Sequence, residues 1–173
     1  MGSTPTTFAI DDDRSRLNVR FSPALPGFKM RLTGIRGNFV IDLRDDGSVD
    51  MDGDASGAFA AGVSGLKLGN PVLTKMGRRW LDDGTDRPIK GAIGDSSAVK
   101  PETQTYELEL VLTMKGVERQ LTSLGTINQD GDELVVEGLT EIRPDDIGFP
   151  FPLPGQLKAI SKFDIRLVRT DSE

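Results

Sequence analysis

The residues able to do chemistry in this chain are few, and the missing types narrow the field first. The 173 residues include no Cys and no His. Disulfides, thiolate nucleophiles, iron–sulfur ligation, Cys/His zinc sites, His-held haem and every Ser–His or Cys–His pair are therefore excluded. What survives is chemistry by carboxylates alone, or with a Lys or Tyr base. Asp50-x-Asp52-x-Asp54 has the opening spacing of a calcium-binding loop. Ala55 stands where such a loop needs Gly, Ala61 where it needs an acid, and the stretch has period two. Outward-facing acids on a solvated strand explain it. Glu107 and Glu109 share a face with Val111 and Thr113, opposite an apolar row, so a solvent-facing row explains them without catalysis. Asp145-Asp146 sits in a Pro-rich stretch, where Asp146 suits a cap on local N–H groups. Gly62-Val63-Ser64-Gly65 is not followed by Gly-Lys-Ser/Thr, so no phosphate cradle is expected. No catalytic residue, metal ligand or cofactor is assigned, and no enzymatic activity is expected.

Charge and composition restrict the partners. The formal charge is -6 and no segment concentrates Lys or Arg, which argues against nucleic acid and against an anionic membrane surface. Apolar residues make up 36% of the chain and are spread along it, enough for one folded domain over residues 1–173. No apolar run approaches the ~18 residues that cross a bilayer, so no stable membrane insertion is expected. The first thirty residues lack a basic stretch followed by an apolar run and a small-residue cleavage site. The cytoplasm is the expected compartment. A homodimer is left open.

The elements that must position any site have a dominant period of two. Leu17, Val19 and Phe21 alternate with Arg16, Asn18 and Arg20; Phe28, Met30 and Leu32 alternate with Lys29 and Arg31. Phe39, Ile41 and Leu43 share a face. After the hairpin signal Asp45-Asp46-Gly47, so do Val49, Met51, Gly53, Ala55, Gly57, Phe59 and Ala61. One helix is predicted over 71–82: Asn70 caps it, Pro71 opens it, and Val72, Leu73, Met76 and Trp80 form its apolar face. Ile89, Gly91 and Ile93 follow, with Ser96–Pro101 as a loop. Tyr106, Leu108, Leu110, Leu112 and Met114 give the clearest strand, and Lys115-Gly116 turns it into Val117–Ile127. Asp130-Gly131 marks the next hairpin into Leu134–Ile142. Arg143–Gly155, with four prolines, is a loop before the last strand, Leu157–Val168. About nine strands, hairpins between most neighbours and one inserted helix predict an all-β, extended antiparallel barrel of about eight to nine strands. Barrels of that size can enclose one ligand. The inward rows mix bulky groups with Gly and Ala, which favours a partly hollow interior.

Four segments in order resemble the YceI-like family of lipocalin-like polyisoprenoid-binding proteins. Phe8-Ala9-Ile10-Asp11 followed by Arg14-Ser15-Arg16-Leu17 is similar to its tryptophan-x-isoleucine-aspartate start, with Phe8 in the place of Trp. Gly69-Asn70 resembles its helix start, and Leu110–Arg119 its leucine-threonine-x-x-glycine-valine hairpin. Arg143-Pro144-Asp145-Asp146-Ile147-Gly148 resembles its arginine-x-aspartate-phenylalanine-glycine stretch. The family usually carries Arg-Asp and His-Leu in the helix, where this chain has Lys75-Met76-Gly77-Arg78-Arg79-Trp80-Leu81. The resemblance implies a lipocalin-like barrel whose tunnel holds an isoprenoid or another long-chain lipid, such as a fatty acid. Parity then places Phe21, Met30, Phe39, Met51, Phe59, Trp80, Ile93, Leu108, Leu110, Leu112, Phe163 and Ile165 in the tunnel lining. The entrance is expected near the helix and the Phe149–Pro154 loop. The competing readings are a packed barrel that acts through its surface and, last, a carboxylate-only hydrolase.

Overall fold

The computed structural model describes residues 2–22, 29–100, 102, 105–143 and 158–170. Among them lie eleven strand segments: β1 (Ser3–Ile10), β2 (Arg16–Ser22), β3 (Met30–Leu32), β4 (Arg36–Arg44), β5 (Ala55–Ala61), β6 (Leu66–Lys67), β7 (Ile89–Lys100), β8 (Thr105–Met114), β9 (Val117–Asp130), β10 (Glu133–Ile142) and β11 (Lys158–Arg169). A single α-helix, α1 (Pro71–Leu81), is inserted between β6 and β7. No helix among the described residues is long and apolar enough to cross a membrane.

The register shows that three pairs of segments are each one barrel strand broken midway. β11 pairs with β1 through Ile10↔Leu167 and then with β2 from Asp164↔Arg16. β4 and β3 continue one another opposite β1 and β2, and β5 and β6 do the same opposite β4 and β3. Counted this way, eight staves follow one another in chain order, each antiparallel to the next, and β1 closes the ring against β11. The breaks lie side by side at Asp11–Ser15, Thr33–Ile35 and Gly62–Gly65. The backbone groups they free are satisfied. Arg166 donates its N–H to Ser15 Oγ and accepts from Asp11 N, and Thr33 N–H reaches the Gly65 carbonyl.

Three sequence expectations need correction. Ser96 to Lys100 belongs to β7, which absorbs register irregularities between Ile93 and Ser96 and between Ala98 and Lys100, instead of ending in a loop. Asp50–Gly53 forms a turn, so the run from Val49 to Ala61 is not one strand; Asp50 Oδ1 accepts from Asp52 N and Gly53 N reaches the Asp50 carbonyl. Helix α1 is capped as expected, with Asn70 Oδ1 accepting from Leu73 N, but of its expected apolar face Trp80 packs inward while Val72 and Met76 do not. Val72 is 68% exposed and Met76 52%, while Gly77 and Leu81 are buried. Gly77 lies so close to Leu68 and Leu66 that a β-carbon there would press on both. The small residue lets the helix sit against β6, a contact that an apolar pattern alone cannot show. Phe28, Leu157 and the segment from 144 to 157 lie outside the described residues.

A charged network ties the break between β1 and β2 to the neighbouring staves. Arg14 bridges Asp11 and Glu133, and Arg166 bridges Glu133 and Asp130. The Arg14 guanidinium holds the Asp11 and Glu133 carboxyls below their ordinary values of 3.8 and 4.5, with Arg166 adding to the effect at Glu133. A depressed folded-state pKa contributes stability that is present above the ordinary value and lost as pH falls through the folded one. The melting temperature should therefore hold through neutral pH and fall below about pH 4.5. Arg14→Ala should lower it near neutrality and flatten this acid limb. Thermal unfolding between about pH 7 and pH 3 checks both; an unchanged limb would show that the network is idle.

Candidate functional site

The two ends of the barrel differ. At one end are the turns after β4 and β9, where Phe8, Ile41, Leu43, Val49, Met51, Tyr106, Ile127, Leu134 and Leu167 pack into a buried cluster. Tyr106 donates its hydroxyl to Met51 Sδ there, and burial pushes its phenol up to about 12, with Asp50 adding to the effect. This end is plugged. At the other end lie α1, the Lys115-Gly116 turn and the points where β2 and β10 leave the barrel. Lys115 and Gly116 both have positive φ, 51° and 73°, the geometry of a tight hairpin. The turn sets the Lys115 ammonium 5.5 Å from the centre of the Trp80 ring.

Between the plug and the helix end the side chains leave a cavity. The space open to the centre of a water molecule is about 190 Å³, more than ten times the roughly 10–15 Å³ that one water needs. Every barrel stave contributes to its wall, and α1 adds Gly77, Trp80 and Leu81. Among the described residues the wall has no ionisable side chain, and its only polar ones are Ser56, Ser123, Thr140 and Ser161. Such a surface can bind apolar matter but offers no acid, base or metal ligand. The cluster Asp11, Asp12 and Asp13 lies elsewhere, and its first two members are paired with Arg14 and Arg36.

Glycines keep the cavity open. In register, Phe39 faces Gly57, Phe59 faces Gly91, and Phe163 faces Gly138. A β-carbon at any of these glycines would overlap the facing ring, so each ring fills the space that the missing side chain leaves on the wall. Bulky aromatics therefore cover the wall without filling the centre.

The sequence-derived lining can now be placed. Phe21, Met30, Phe39, Phe59, Trp80, Ile93, Leu108, Leu110, Leu112, Phe163 and Ile165 all stand in the cavity wall. Met51 does not. The turn at Asp50–Gly53 breaks the parity that pointed it inward, and it packs in the plug beneath Tyr106. Helix α1 flanks the cavity where the entrance was expected, whereas the Phe149–Pro154 loop lies outside the described residues. The parity argument also left out much of the wall, including Leu17, Val19, Ile127, Val136 and Ser161. Their alternation was the available signal.

No protein-family model matches the chain, and no curated protein matches it. Among solved structures, it is similar to the crystal structure of BcnA from Burkholderia cenocepacia. The TM-score is 0.68 over 91% of this chain and 98% of that one, at 14% identity. Identity this low shows the fold alone, a closed lipocalin-like antiparallel barrel with one short helix.

The glycine–ring pairing yields a direct test. Gly57→Ala should force the Phe39 ring off the wall, costing about 1–3 kcal/mol of stability and reducing cavity volume. Adding Phe39→Leu should recover most of that loss in a double-mutant cycle read by thermal unfolding. Additive losses would show that ring and glycine are not coupled.

Proposed function

We propose that this chain is a non-enzymatic carrier or sequestering protein that holds the apolar chain of a polyisoprenoid or fatty-acid-like lipid inside the barrel. The continuous apolar cavity carries the reading. Apolar voids of this kind disfavour water, and each methylene moved into one contributes about 0.8 kcal/mol. A cavity more than ten water volumes in size accommodates on the order of a dozen chain carbons. Their summed transfer outweighs the cost of ordering a flexible chain. The resemblance to YceI-like proteins over nearly the whole chain points the same way, as does a wall without ionisable side chains among the described residues. A hollow centre is the opposite of what a packed barrel acting through its surface would need. The cytoplasm, where a soluble carrier keeps such a chain out of water, is the compartment this reading favours.

The test is organic extraction of the protein purified from its own host, followed by mass spectrometry. A recurrent long-chain apolar compound at a stoichiometry near one per chain is expected. Repeated recovery of buffer components alone would overturn the reading.

A further inference from the structure

One transverse row of the cavity wall departs from its apolar surroundings. Ser123 on β9, Thr140 on β10 and Ser161 on β11 face one another in register, Ser123↔Thr140 and Thr140↔Ser161. All three line the cavity and are buried, with 2%, 3% and 1% of their surfaces exposed. The Ser123 and Thr140 hydroxyls bond to each other. The Ser161 hydroxyl has no hydrogen-bond partner in the protein, the one buried side-chain oxygen or nitrogen in that position among the described residues.

A buried hydroxyl without a partner is a net cost that an Ala or Val at the same place would avoid. The neighbouring positions on the same face of β11, Ala159, Phe163 and Ile165, are all apolar. A hydroxyl both donates and accepts, and a bonded Ser–Thr pair still has one hydrogen to give. The row therefore holds two unspent O–H donors in the cavity wall, just behind its apolar surface. Among the described residues no Lys or Arg stands in the wall to neutralise an ionised oxygen, and a charge buried without a partner is far more costly than a dipole.

We infer that the Ser123–Thr140–Ser161 row is a polar reading point for an uncharged oxygen, a carbonyl or a hydroxyl, carried by the apolar ligand. This deepens the carrier reading and rests on it. The row also sets the ligand's direction. One rung further toward the helix end lie Ile142 and Ala159, where β10 leaves the barrel and β11 enters it. That rung is two residues, about 7 Å, away. Toward the plug the wall is apolar, past Phe163 to Ile127 and Val136. The oxygen-bearing group sits near the helix end, and the chain runs inward toward Tyr106 and Met51.

The experiment compares dodecanol, dodecane and dodecanoate binding to the full chain and to its Ser161→Ala and Thr140→Val variants. Emission of Trp80, the chain's one tryptophan, reports binding from the cavity wall. Ser161→Ala should weaken dodecanol about fivefold to tenfold and leave dodecane unchanged, and Thr140→Val should act in the same direction. The melting temperature of Ser161→Ala should equal or exceed that of the wild type, because a merely structural hydroxyl would be missed. Dodecanoate should bind more weakly than the alcohol. Equal effects of Ser161→Ala on alcohol and alkane, or none, would overturn the inference while the carrier reading stands. Tighter binding of the carboxylate would overturn the assignment to an uncharged oxygen. Failure of all three probes to bind the wild type would overturn both readings.

Discussion

An eight-stranded barrel is just wide enough either to be filled by its own side chains or to hold one small ligand. Which of these occurs here turns on a few large rings. Phe39, Phe59 and Phe163 all point inward, and three such groups meeting at the axis would plug it. Each instead lies against a glycine on the next stave, in the space a β-carbon would occupy. The same residues thus supply apolar wall and preserve apolar volume. Every functional statement about the molecule depends on that packing.

The rest of the architecture serves to hold this wall in place around a partly closed tube. One end is sealed by the cluster around Phe8, Met51 and Tyr106, where burial raises the Tyr106 phenol above its ordinary value. The other end is framed by α1, whose Gly77 allows close packing on β6 while Trp80 and Leu81 face the cavity. The three adjacent strand breaks interrupt the ladder where the barrel passes from one region to the other. Ser15 and the Arg14–Glu133–Arg166 network supply what the missing strand bonds would have given. Among the described residues the charged groups are thereby kept out of the cavity wall, whose few polar side chains are Ser56 and the Ser123–Thr140–Ser161 row.

Much of this was legible in the sequence because a period of two states which side chains share a face. Tyr106 to Met114 and Phe163 to Leu167 needed nothing more. Hairpins announced themselves at Asp46-Gly47, Lys115-Gly116 and Asp130-Gly131, where the glycines adopt positive φ. Parity fails wherever a residue is added or a turn intervenes, and so Met51 was misplaced and Ser96 to Lys100 was read as a loop. The helix face was legible only in part: Trp80 turns inward as expected, but the buried contact is made by Gly77 and Leu81, not the larger Val72 and Met76. The hydroxyl row escaped notice for another reason. Ser123, Thr140 and Ser161 are far apart in the chain, and only the register of β9, β10 and β11 brings them together.

The central claim is that a chain-like molecule occupies the lumen with its tail toward the plug. The most direct measurement is the anomalous diffraction of a crystal of this protein soaked with ω-bromododecanol. A bromine peak inside the barrel, among Ile41, Ile127 and Val136, is the result this account expects. A bromine found only on the outer surface, with the lumen closed by rearranged side chains, would contradict it.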